Sequence, residues 1–139
     1  MFFSLLYTYF MLLFTVTGCK ISDFFEINKE FYPHETERRY IKTVSSAFCG
    51  TGLREYIEDI NEDTIVIVGL LTNFCMDATI KSAFEMGLKV IVPQGTNTTF
   101  DNPYMDKETT YRYYNEFIWP NKFAECITVE ETIQRMIKS

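Results

Sequence analysis

The stretch Thr64-Ile65-Val66-Ile67-Val68-Gly69-Leu70-Leu71-Thr72-Asn73-Phe74-Cys75 decides the architecture. Thr64 to Val68 are all β-branched, with no alternation of apolar and polar positions. Such a run predicts a strand buried on both faces of a sheet. Gly69 closes it. A helix is expected from Thr72 or Asn73 to Met86, because Met76, Ile80, Ala83 and Phe84 fall on one face. Gly87 stands where a helix C′ glycine belongs. Leu88 to Val92 is a second buried strand, stopped by Pro93. Two such strands joined by one helix predict adjacent, parallel pairing through a crossover.

Outward from this unit the same alternation continues. Tyr40-Ile41 is a short apolar pair that ends at Lys42 and reads as a strand end. Thr51 is placed to cap a helix whose apolar residues Leu53, Tyr56, Ile57 and Ile60 recur at helical spacing. Asp106 is placed to cap another, with Tyr111, Tyr114 and Ile118, ended by Trp119-Pro120. Glu125 to Thr128 reads as an edge strand. Thr128-Val129-Glu130-Glu131 has the capping-box form and opens a last helix carrying Val129, Ile133, Met136 and Ile137. The expectation is a three-layer, Rossmann-like α/β domain over residues 25–139 with a parallel sheet. Ligands bind such sheets at the carboxyl ends of the strands, so the loops after residues 42, 69 and 92 are the ones to inspect.

Composition narrows the function. A net charge of −6 and a pI near 4.8 argue against a partner bound through a basic surface, such as nucleic acid. The single histidine, His34, excludes a site built on several histidines. Cys19, Cys49, Cys75 and Cys126 contain no CxxC pair, so no zinc ribbon or thioredoxin-type pair is expected. Residues 1–19 form a separate apolar segment with no charge before Lys20. Its length suits a signal sequence and is marginal for an anchor, since a spanning helix needs about 20 apolar residues. Val16-Thr17-Gly18-Cys19 also has the form of a lipobox. Residues 2–16 carry no amphipathic stripe, so a helix that packs weakly on the α/β core is expected there. The other reading is a start that replaces the beginning of a truncated domain.

The residues that carry chemistry lie in the loop after the best strand. Cys75 falls in the first turn of the following helix, where free N–H groups and the positive helix end favour a thiolate. The same N–H groups can hold an oxyanion. A nucleophile and a small buried hydrophobe are both open readings for this cysteine. Cys49 has the same ambiguity, and Cys126 reads as core.

Two words together resemble a known family. Lys42-x-x-x-Ser46-Ala47-Phe48-x-Gly50-Thr51-x-Leu53, followed by Gly69-x-x-Thr72-Asn73-x-Cys75-x-x-x-Thr79, is similar to the isochorismatase-like cysteine hydrolases. Asn97-Thr98-Thr99-Phe100-Asp101-Asn102 and Tyr113-Tyr114-Asn115-Glu116 resemble the streptothricin-hydrolase-like branch. The resemblance implies that Cys75 is a nucleophile that forms a thioester with a small amide or lactam substrate, without a cofactor or metal. It implies that Lys42 stands beside the thiolate, that the Leu70–Leu71 bond is cis, and that the N–H groups of Leu71 and Cys75 form an oxyanion hole. It implies a cytoplasmic enzyme, unless residues 1–19 export it or attach it to a membrane.

One part of the pattern has no match. The family's catalytic aspartate ends its first strand, and here Asp23 is the only aspartate before the lysine word. Asp23 follows no β-branched run, so it is a weak substitute acid/base. The expectation is a domain that lacks the family's N-terminal part and is catalytically impaired for want of a proton shuttle. Missing strands would expose apolar surface and favour a homo-oligomer. The competing readings are an inactive remnant and a membrane-tethered interaction protein.

Overall fold

A computed structural model of the chain describes Arg38 and residues 40–138. The expectations for residues 1–19 and for Asp23 lie outside the described residues. The element order is α1 (Leu53–Asp59), β1 (Thr64–Val66), β2 (Gly69–Leu70), α2 (Asp77–Glu85), β3 (Lys89–Pro93), β4 (Asn97–Thr98), α3 (Lys107–Arg112), β5 (Glu125–Ile127) and α4 (Val129–Lys138). A π-helical turn, Thr72–Met76, leads into α2, and a second, Tyr113–Ile118, follows α3.

The β-branched runs pair as expected. β1 and β3 are parallel, with Ile65 opposite Val90 and Val66 opposite Ile91. β5 pairs parallel on the other side of β3, giving the order β1-β3-β5. Ile65 and Ile67 share a face with Val90 and Val92, and these four pack in one cluster with Met76, Ile80 and Ala83 of the helical segment between the strands. Ile91, one step along the strand and so on the other face, is buried too. α2 and α4 both lie against β3. The result is the expected layered α/β fold, with β3 between its two partners.

Several expectations need correction. β1 ends at Val66, and Ile67 continues the ladder through its N–H to the Ile91 carbonyl at 2.9 Å. Gly69 does not simply close the strand. Its φ of 135°, a conformation open to glycine, turns the chain into β2, which pairs parallel with β4. The helix expected from Thr72 begins as a π turn, Thr72–Met76, and becomes α-helical from Asp77. Residues 40–42 form no strand.

The caps follow from the side chains named above. Asp106 accepts from the Thr109 N–H at 2.6 Å and Thr128 from the Glu131 N–H at 3.1 Å. Thr51 accepts from the Leu53 N–H at 3.2 Å while donating to the Ala47 carbonyl at 2.6 Å. The apolar stripe of α4 stays largely in contact with solvent. Ile133 is 49% exposed and Ile137 79%, and Thr132 is the buried residue of the helix. Periodicity identifies an amphipathic face but not what covers it. No helix among the described residues is long and apolar enough to cross a membrane.

Candidate active site

Three chain segments meet at the carboxyl ends of β1 and β3. The first carries Lys42, which is 4% exposed. Its ammonium donates to the carbonyls of Val44 at 3.0 Å and Ser45 at 3.1 Å, and Nζ lies 3.3 Å from Cys75 Sγ. The loop after Lys42 is held on α2 by its own polar atoms. Ser46 Oγ donates to Ser82 Oγ at 2.9 Å, and the Ala47 N–H donates to Thr79 Oγ1 at 3.1 Å. The words Ser46-Ala47 and Thr79 are thus joined in space.

The second segment is the π turn. Cys75 is a free cysteine and fully buried. The carbonyl of Leu71 accepts from the N–H groups of Phe74 and Met76, both at 3.1 Å, and this closes the turn around the sulfur-bearing residue. The Leu70–Leu71 peptide bond is cis. Leu70 and Phe74 on either side of the turn are more than half exposed.

The third segment is the chain after β3, one of the three loops that the sequence marks for inspection. Thr72 Oγ1 donates to Asn97 Oδ1 at 2.8 Å. Asn97 Nδ2 donates to Asn115 Oδ1 at 2.9 Å, and Asn115 Nδ2 donates back to Asn97 Oδ1 at 3.1 Å. All three residues are buried. All three stand in words that carry the resemblance.

The arrangement brings a buried sulfur and a lysine Nζ within 3.3 Å of each other at a strand end, next to the start of a helical segment. Among the described residues, no three side chains of His, Cys, Asp or Glu converge into a set that could hold a metal ion.

A family model for the isochorismatase domain matches residues 20–131. The chain belongs to the isochorismatase family. It is 27% identical over 120 residues to the uncharacterized isochorismatase family protein YrdC of Bacillus subtilis, covering 83% of this chain and 64% of that protein. It is 28% identical over 78 residues to a streptothricin hydrolase of Streptomyces noursei, covering 56% of this chain and 28% of the other. Among solved structures, an isochorismatase-like hydrolase from Alkaliphilus metalliredigens superposes with a TM-score of 0.69 at 27% identity, over 79% of this chain and 56% of that one. A cysteine hydrolase from Pseudomonas syringae shares the fold with a TM-score of 0.77 at 24% identity, over 82% and 55%. The chain therefore spans less than two thirds of these isochorismatase-family relatives.

The other two described cysteines lie elsewhere in this isochorismatase-family fold. Cys49 is exposed and free. Cys126 lines an open groove of about 650 Å³ that also touches Phe84, Leu88 and Phe123. Burial pushes its thiol up to about 11, so it stays protonated at neutral pH and is no competing nucleophile. The shift has a consequence for stability. The unfolded chain releases this proton near the ordinary value of 9.0, before the folded chain does. Stability is therefore unaffected below that value and falls as pH rises from about 9 to about 11. Urea midpoints at pH 8 and pH 10.5 are expected to differ less in Cys126→Val than in the parent. Equal differences would remove Cys126 from the alkaline transition.

Proposed function

We propose that this chain carries a cysteine hydrolase site that cleaves a carbon–nitrogen bond, an amide or a lactam, in a small molecule. The observation that carries the reading is the 3.3 Å approach of the buried Lys42 ammonium to Cys75 Sγ at the carboxyl end of the sheet. Two relatives bear names of hydrolytic enzymes, a streptothricin hydrolase and a nicotinamidase.

In this reading the Cys75 thiolate attacks the carbonyl carbon. A carbon–sulfur bond forms and the carbonyl oxygen becomes an oxyanion, which the N–H groups of Leu71 and Cys75 are assigned to hold. The C–N bond then breaks and the amine leaves with a proton, giving a thioester on Cys75. Water attacks the thioester, releases the acid and restores the thiol. Lys42 stands beside the sulfur, with Nζ 3.3 Å from Sγ. As an ammonium it is a poor base, so a second group must give the amine its proton and take one from water. Asp23 is the candidate the sequence offers for that step, and it is a weak substitute for the family's aspartate.

The test uses the full chain, quenched in acid during incubation with a panel of small amides and lactams. Peptide mass spectrometry is expected to find the acyl group on Cys75 together with free amine, and neither in Cys75→Ala. Asp23→Asn is expected to lengthen the life of the adduct. Release of amine without an adduct, undiminished in Cys75→Ala, would overturn the reading.

A further inference from the structure

We propose that Asn97 and Asn115 are positioning residues for Cys75, acting through Thr72. The proposal rests on the hydrolase reading for its role in turnover, but its geometry stands apart from any substrate. Thr72 opens the π turn that carries Cys75 and is fully buried. Its hydroxyl has one polar partner of the facing loop, Asn97 Oδ1 at 2.8 Å. The two asparagines bind each other reciprocally, at 2.9 and 3.1 Å, and Asn115 Nδ2 also donates to the Tyr111 carbonyl at 2.9 Å. The second π turn, Tyr113–Ile118, carries Asn115.

Packing alone does not explain this cluster. Buried amides lose their water, and apolar residues of similar volume would fill the space without that loss. What amides add is direction, since each bond fixes an angle as well as a distance. The fixed object is the nucleophile's turn. The backbone of Asn97 pairs with Gly69 in the β2–β4 ladder, and its side chain holds Thr72, so one residue anchors the chain on both sides of Leu70 and Leu71. Two residues on, Thr99 Oγ1 donates to Asn73 Oδ1 at 2.6 Å. The segment from Asn97 to Thr99 is thus a template on which the turn lies. Each of these groups acts through Thr72 or Asn73, so the role is to set where Sγ stands relative to the Lys42 ammonium.

Thr72→Val keeps the shape of the side chain and removes its donor, and Thr72→Ser restores the hydroxyl. Misplacement of a reacting group by about 1 Å costs on the order of 100-fold in rate. Thr72→Val is therefore expected to slow alkylation of Cys75 by iodoacetamide about 10- to 100-fold at neutral pH, with Thr72→Ser close to the parent. Rescue by Thr72→Ser in protein that remains folded separates positioning from a merely structural loss. Asn115→Ala, outside the turn, is expected to act in the same direction. Should Thr72→Val not fold, Asn115→Ala decides alone. Turnover of the amide panel is measured on the same samples. Slowed alkylation in a chain that turns over no amide supports the clamp and counts against the hydrolase. A folded variant that alkylates like the parent overturns the clamp whatever the turnover.

Discussion

Lys42→Met is expected to slow alkylation of Cys75 by iodoacetamide about 10-fold or more at neutral pH, because it removes the cation that stands 3.3 Å from the sulfur. Methionine keeps the length and apolar stem of the side chain, so the change removes charge rather than volume. The carbonyls of Val44 and Ser45, which hold the ammonium at 3.0 and 3.1 Å, lose their donor at the same time. Removing one partner of a buried polar contact costs stability, so the two proteins are compared only under conditions in which both are folded. The measurement is the rate of iodoacetamide alkylation at Cys75, read by peptide mass spectrometry. Lys42→Arg is expected to restore only part of the effect, because a planar fork does not replace a compact ammonium aimed at one atom. Indistinguishable alkylation rates for parent and Lys42→Met would leave the lysine with no part in activating the cysteine.

Trp119→Ala is expected to cost about 3–5 kcal/mol of folding stability, the usual range for truncating a buried aromatic. Trp119 is fully buried, and its ring meets that of Tyr114 at a centroid distance of 5.6 Å. Its carbonyl accepts from the N–H groups of Lys122, Phe123 and Ala124, so the turn into β5 is wound around it. The indole N–H donates to Asp77 Oδ1 at 3.0 Å, and Lys81 reaches Oδ2 of the same carboxylate at 2.7 Å. Asp77 is the first residue of α2, two positions after Cys75. Trp119→Phe fills most of the volume and removes the N–H, so it separates the packing loss from the hydrogen bond, which is expected to cost about 1.5–3 kcal/mol because its acceptor is charged. Chemical denaturation read by far-ultraviolet circular dichroism checks both. A loss under about 1 kcal/mol for Trp119→Ala would mean that the surrounding side chains close the cavity.

The layered parallel fold was legible because its evidence is local. A β-branched run, a helical stripe and a second β-branched run leave few topologies open. The candidate site was legible through its words. Residue chemistry alone left Cys75 between nucleophile and core, and the spacing of Lys42 to Ser46-Ala47 decided where to look. Thr72, Asn97 and Asn115 were not legible as a unit, because asparagine and threonine between periodic segments carry the composition of a loop. Their burial depends on a third dimension that no period encodes. Trp119 was read as a helix terminator for its place before Pro120, which restricts the preceding residue. Its second role, as the largest buried side chain, follows from what surrounds it.

All the strand pairs among the described residues are parallel, and this bears on how the protein acquires its chemistry. A parallel pair has no hairpin route, so every pairing waits for an intervening segment to be crossed. The contacts that make the site share this remoteness. Lys42 and Cys75 are 33 positions apart, Thr72 and Asn97 are 25, and Asp77 and Trp119 are 42. Loop-closure entropy must be met before such contacts reward it, so they form slowly and late. The cysteine leaves the ribosome apart from its lysine and meets it only when distant stretches of chain have converged. The Lys42–Cys75 contact is then a clock for the last stage of folding, and a chain arrested short of that stage lacks it.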